Sequence, residues 1–215
     1  MTYLSNNEAI ISGTIMDELE VSHETKGEVF YQTRIAVERT SGTIDTIPVI
    51  ISERLLLLPA INYTPGNNVR ICGEYHSYNK HVEERRKLLL FVFAKSIEKL
   101  SNEDSENMNN NSVNLDGYIC KISPLRETPM GRTINDFILA VNRDGKSDYI
   151  PCITWGRNAQ YTAQFRAGKH IGVSGRIQSR EYEKCLDNGD IVTKTCYEVS
   201  VSRFYELDRD VYEND

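Results

Sequence analysis

The chain repeats itself. Ala9, Ile11, Gly13 and Ile15 alternate along one stretch, and Val113, Leu115, Gly117 and Ile119 alternate in the same way 104 positions later. Ile35-Ala36-Val37-Glu38-Arg39 matches Leu139-Ala140-Val141-Asn142-Arg143 at the same offset. Ile47-Pro48-Val49-Ile50 matches Ile150-Pro151-Cys152-Ile153 at 103, and Gly66 and Gly73 match Gly168 and Gly175 at 102. An ordered series of matches at a nearly constant offset marks an internal duplication. Each copy must therefore close its own core within about 100 residues. Between the copies, Ser101–Ser112 (SNEDSENMNNNS) has one apolar residue and no periodicity, so it reads as a flexible linker.

Short runs of alternating apolar residues indicate half-buried strands. In the second copy they fall near Val113–Lys121, Ile134–Arg143, Asp148–Trp155, His170–Tyr182 and Thr193–Phe204. Between the third and fourth, Asn158–Ala167 can form a short helix, with Gly168 as its left-handed stop. Five strands with a helix between the third and fourth is the order of the OB-fold, a Greek-key barrel. The expected fold is therefore all-β, two tandem OB-folds. Residues 1–100 form the first and 113–207 the second, with a linker at 101–112 and a short acidic tail at 208–215. In the first copy the helix slot is Glu53–Thr64, where Pro59 should shorten or kink any helix.

The formal net charge is −6, but it is unevenly spread. Residues 101–110 carry three acidic and no basic side chains, and the last eight carry four acidic and one basic. Residues 111–207 carry 13 basic against 11 acidic, and eight of those cations are arginines, the type that forks onto phosphates and stacks on bases. No run is apolar and long enough for a membrane span, and the N-terminus lacks the pattern of a signal peptide. Five scattered cysteines without a CxxC fit a reducing cytoplasm rather than a metal knuckle or a disulfide frame. No nucleophile, P-loop or metal-ligand spacing is present, so neither an enzyme nor a cofactor is expected.

Residues two apart on a strand share a face. Ile171, Val173, Gly175 and Ile177 should point into the barrel, leaving Arg176, Gln178, Arg180 and Tyr182 in a row outside. The same parity puts Tyr149 and Trp155 on one face of the preceding strand. Rings that stack on bases, interleaved with cations that follow phosphates, suit a single nucleic-acid strand without sequence preference. The competing assignment for each ring is cross-strand packing, and for Arg176 and Arg180 it is pairing with Glu181 or Glu183 on a solvated hairpin.

The series WGxxA, GKxIxVxGRIQxRxY and YEVxVxxF resembles the bacterial single-stranded DNA-binding protein family over Val113–Leu207. The resemblance implies that Tyr149, Trp155 and Tyr182 fill that family's stacking positions, and that Arg176 and Arg180 fill its basic strand positions. Arg157 follows the WG pair, and Arg143 and Lys169 complete the candidate nucleic-acid contacts. It also implies single-stranded DNA as partner in replication, repair or recombination, a bacterial nucleoid-associated location, and a homodimer that brings four barrels together. Other readings are an accessory primosomal OB protein touching a helicase or its loader, and a protein-interaction module that binds no nucleic acid.

The first copy departs from the pattern. Thr46 stands where the second has Tyr149, Ser52 for Trp155, Lys80 for Tyr182 and Glu74 for Arg176. Its exposed row is expected to be Glu74, His76, Tyr78 and Lys80, and the barrel is expected to be chiefly structural. Leu55–Leu58 and Leu88–Phe93 are its candidate assembly elements. The tail DRDVYEND lacks an apolar tip, so recruitment of other proteins through it is not expected.

Overall fold

The computed structural model describes residues 5–57, 63–82, 85–101, 111–186 and 189–207. The expected Pro59 kink, Leu58, the linker 102–110 and the tail 208–215 lie outside the described residues.

Strands β1 (Asn7–Ile15), β2 (Glu20–Thr25), β3 (Glu28–Glu38), β4 (Ile44–Ser52), β5 (Asn68–Val82) and β6 (Arg85–Lys99) form the first half. Strands β7 (Asn111–Ile122), β8 (Arg126–Glu127), β9 (Thr133–Arg143), β10 (Lys146–Trp155), β11 (His170–Cys185) and β12 (Ile191–Glu206) form the second. In each half the order closes on itself: β3-β4-β6-β5-β1 with β1 returning to β3, and β9-β10-β12-β11-β7 with β7 returning to β9. One pair in each barrel is parallel, Val49↔Val92 on β4–β6 and Cys152↔Val199 on β10–β12. These are two OB-folds, as the strand periodicity predicts.

The inward residues are those that the alternation picks out. Ile11, Ile35, Ile47, Val49, Ile71 and Val92 are buried in the first barrel, and Leu115, Ile119, Leu139, Ile150, Ile171, Val173 and Ile177 in the second. Each large aliphatic side chain withdrawn from water contributes roughly 1.5–3 kcal/mol. The repeated glycines allow close approach. A Cβ on Gly13 would lie 2.1 Å from the Ala36 carbonyl oxygen, and one on Gly117 would lie 2.3 Å from that of Ala140. Both sit where the first strand of a barrel turns onto its third partner to complete the closure.

Two local expectations change. The helix after β10, α2 (Arg157–Thr162), stops earlier than the sequence suggests. Gly168 has a positive φ of 88°, but it turns the chain into β11 rather than ending the helix. The counterpart helix α1 (Glu53–Leu56) is shorter still. β7 begins at Asn111, so the last two residues assigned to the linker are strand.

The barrels are joined as well as tandem. β1 pairs antiparallel with β7, with Ala9 opposite Val113. Val113 is the repeat counterpart of Ala9, so the pairing places an approximate two-fold axis through that residue pair. Asn6 Nδ2 adds a hydrogen bond to the Asn142 carbonyl at 2.5 Å. The twelve strands thus form one hydrogen-bonded system.

Candidate functional site

The approximate two-fold makes each barrel hold the other's long hairpin. Asp45, fully buried at the start of β4, accepts the Ser179 N–H of β11 at 2.7 Å. The next residue, Thr46, donates its N–H to Ser179 Oγ at 3.0 Å. The mirror set is present. Asp148, fully buried on β10, accepts the Ser77 N–H of β5 at 2.7 Å, and the Tyr149 N–H donates to Ser77 Oγ at 2.8 Å. Each carboxylate also faces an arginine of its own barrel: Arg39 forks onto Asp45 at 2.7 and 2.5 Å, and Arg143 Nε lies 3.1 Å from Asp148. A buried carboxylate is tolerated when charge and hydrogen bonds replace its lost water. Burial pushes the Asp148 carboxyl up, but hydrogen bonds from His76 and Ser77, with Arg143 nearby, hold it below the usual carboxylate range.

This docking encloses an open groove of about 720 Å³ between the barrels. The second barrel lines it with Trp155, Arg132, Arg176, Gln178, Arg180 and Ser200, and the first with Arg39, Ile44 and Thr46. Trp155 is half-buried, with its Nε1 donating to Ser200 Oγ at 3.2 Å. That bond fixes the ring and leaves a face available. Arg176 lies 3.6 Å from Asp45 and donates to Gln178 Oε1 at 3.2 Å. Burial and then the neighbouring Arg39 depress the Arg176 pKa, with Asp45 opposing them. Asp45 holds Arg39 and faces Arg176, and Glu181 also lines the groove, so four arginines stand against two carboxylates there.

The candidate residues do not all meet. Trp155, Arg176 and Arg180 share this groove. Tyr182 is exposed farther along the same hairpin, on the face of Arg180, opposite Lys194. Arg157 is exposed at the start of α2, two residues after Trp155. Tyr149 is also exposed, and its parity matches that of Trp155, but six residue steps along β10 separate them by about 20 Å. Tyr149 and Arg143 sit against the first barrel's hairpin instead, through Ser77 and Asp148. Lys169 is engaged by Glu206 beside a separate depression lined by Phe165, Arg166 and His170.

Gln178 and His76, both expected in exposed rows, are buried. They occupy the same repeat position, one residue before the serine that the opposite barrel grips. Docking covers His76 through Asp148 of the other barrel, while Gln178 lies in the groove wall. Gln178 Nε2 donates to Glu198 at 2.6 Å. His76 bridges Asp148 at 2.8 Å and Glu74 at 3.2 Å, so it belongs to the inter-barrel contact and not to a solvated hairpin.

Residues 110–207 match the model of the single-strand binding protein family. The second barrel is thus similar to that family. Over 81 residues it is 46% identical to a single-stranded DNA-binding protein of Clostridium tetani, a match that spans 34% of this chain and 56% of the relative. Single-stranded DNA-binding protein A of Bacillus subtilis is 42% identical over 81 residues, spanning 34% and 47%. The chain thus spans about half the length of the curated relatives it matches. The whole architecture resembles the crystal structure of the wild-type single-stranded DNA binding protein of Thermus aquaticus. The TM-score is 0.74 at 18% identity, covering 97% of this chain and 96% of that one.

The family resemblance supplied Trp155, Arg176 and Arg180 but missed Arg39, Arg132 and Thr46. Arg39 was visible in the repeat as the counterpart of Arg143. Its placement beside the other copy's hairpin depends on the two-fold, and no local pattern reports that. Among the described residues no helix is long and apolar enough to cross a membrane.

Proposed function

We propose that this protein binds single-stranded DNA non-enzymatically and largely without sequence preference, in replication, repair or recombination. The observation that carries the reading is the groove in which Trp155 lies among Arg39, Arg132, Arg176 and Arg180. A ring face accepts any base, and arginines follow the phosphates whatever the sequence. Arg157 and Tyr182 extend this surface along α2 and the β11–β12 hairpin. The first barrel serves the site by holding that hairpin through Asp45 and by lending Arg39. The test is titration of Trp155 fluorescence with oligo-dT at several salt concentrations, since Trp155 is the chain's single tryptophan. Quenching is expected. With four arginines neutralising phosphates, log affinity should fall against log salt with a slope of about −3. Absence of quenching at low salt refutes DNA binding and leaves a protein-interaction module.

The assembly we propose is a homodimer, which brings four barrels together. Leu89, Phe91 and Phe93 of β6 are half-buried on the face opposite the buried Leu90 and Val92, and they provide apolar surface for it. A two-fold pair is the commonest closed assembly. Light scattering should give about 49 kDa, twice the 24.6 kDa chain; a mass near one chain refutes the dimer.

A further inference from the structure

The wall of the arginine groove rests on an acid, where a surface for an anion should exclude one. Glu198, the acid of the YEVxVxxF series, lies opposite Gln178 on the β11–β12 hairpin, and Gln178 lines the groove. Glu198 is half-buried and shares a face of β12 with Ser200, which also lines the groove. It accepts Gln178 Nε2 at 2.6 Å. Its charge also reaches Arg126, but Asp136 already forks that guanidinium.

This one bond decides which way the Gln178 amide faces. A carboxylate only accepts, so the group that Gln178 turns to Glu198 is its NH2. The amide oxygen then points the other way and receives Arg176 Nη2 at 3.2 Å. Released from Glu198, the amide can reverse and present N–H groups to a guanidinium that has only donors. The other acceptor facing Arg176 is Asp45, at 3.6 Å, and Arg39 already forks onto it. Gln178 thus holds Arg176 in place without neutralising it. Ser200, opposite Arg176 on β12, fixes the Trp155 ring, so neighbouring positions of β12 set both the cation and the ring. At the same registers the first barrel has Glu74 for Arg176, His76 for Gln178 and Phe91 for Glu198. All three members differ together: where the arginine is absent, the acid is absent too.

We propose that Glu198 is a positioning residue for DNA binding, which acts through Gln178 to hold the Arg176 guanidinium in the pose that meets a phosphate. The inference rests on the DNA-binding reading above. It fixes a sign. If Glu198 acted only by its charge, removing it would tighten the binding of an anion. Acting through Gln178, its removal weakens binding. The repulsion is screened by salt across the groove, whereas the arginine–phosphate contact is made at hydrogen-bond distance.

The test is titration of Trp155 fluorescence with oligo-dT in the full chain, from about 50 mM salt upward. Glu198→Leu accepts no hydrogen bond. It should weaken binding about eightfold at the lowest salt and make the log–log slope shallower by about 0.7, the share of one phosphate contact. Glu198→Gln keeps an acceptor and should stay within about twofold of the parent. Glu181→Gln removes an exposed acid of the same groove that has no such link, and should tighten binding by about twofold. In an Arg176→Gln background, Glu198→Leu should add no further loss, because the two act as one unit. Tighter binding by Glu198→Leu overturns the proposal, as does weaker binding at an unchanged slope, which would report a general loss of structure. So do additive losses in the double variant, a Glu198→Gln as weak as Glu198→Leu, or two acids that shift binding in the same direction. If Trp155 of the parent is not quenched at all, the DNA-binding reading falls and this inference falls with it.

Discussion

The hairpins β5–β6 and β11–β12 occupy equivalent places in the two barrels, and they agree where they are docked and differ where they face the groove. Both are gripped at a serine, Ser77 or Ser179, by a buried aspartate of the other barrel. Both carry a bulge at a glycine, Cys72/Gly73 and Ser174/Gly175. What supports the fold has been kept in both copies. What faces the groove has diverged: Arg176 and Arg180 on one hairpin, Glu74 and Tyr78 on the other. A buried contact tolerates few substitutions because each leaves an unpaired group in a dry site. A groove-lining side chain changes at little structural cost.

The largest expected effect tests the shared part. Asp45→Ala leaves Arg39 and the Ser179 N–H without their buried partner and should lower stability by about 3–5 kcal/mol, read by urea unfolding. Asp148→Ala should cost a similar amount. If one is severe and the other silent, the two-fold equivalence of the docking is wrong. Asp45→Ala should also weaken Trp155 quenching, since it releases the hairpin that carries Arg176 and Arg180.

Next comes the divergent part. Trp155→Ala and Tyr182→Ala should each cost about 1–3 kcal/mol of oligo-dT binding, the worth of one stack, in an intercalator-displacement or filter assay. Ser52→Ala, at the position equivalent to Trp155, should leave overall binding within about 0.5 kcal/mol. Equal losses would mean that the barrels do not differ in role. A finer discriminator is salt. Arg176→Gln should make the log–log slope of Trp155 quenching shallower by about 0.7, the share of one phosphate contact. Glu74→Gln should leave that slope as it is.

The smallest effect concerns pH. Asp148 has its folded-state pKa held below the ordinary 3.8, so its contribution is complete above that value. The contribution is lost as the pH falls through the lower folded value, where the native carboxylate takes up its proton. Asp148→Asn should therefore be less stable than the parent at neutral pH, and the two should converge as the pH falls below 3.8 and through the lower folded-state value. Urea midpoints at a series of pH values measure the gap; a gap that persists in acid would show that Asp148 acts through shape and not charge.

Much of each barrel was legible. The alternation of Ile171, Val173 and Ile177 named inward residues correctly, because period two is a local property of a strand. The repeat offset aligns Gly13 with Gly117, and both make the same close approach to a backbone carbonyl. The same parity rule places His76 and Gln178 outside, but Asp148 of the other barrel covers His76, and Gln178 is folded into the groove wall on Arg176 and Glu198. The short helix was overextended because helix formers continue to Ala167 while the packed turn ends at Thr162.

By itself, then, the sequence determined two barrels, their inward faces and the kinds of side chain available to a nucleic acid. Those follow from neighbours a few residues apart, where periodicity and turn chemistry act. Which side chains share a groove was decided by tertiary structure. Asp45 and Ser179 are 134 residues apart and Asp148 and Ser77 are 71 apart, yet each aspartate accepts both the N–H and the hydroxyl of its serine. Through the β1–β7 pairing, these contacts put Thr46 with Trp155 and set Tyr149 against the opposite hairpin. No local pattern encodes that exchange. It comes from the approximate two-fold pairing of two halves, stabilised by burial and hydrogen bonding between barrels whose inward faces are each set by their own alternation.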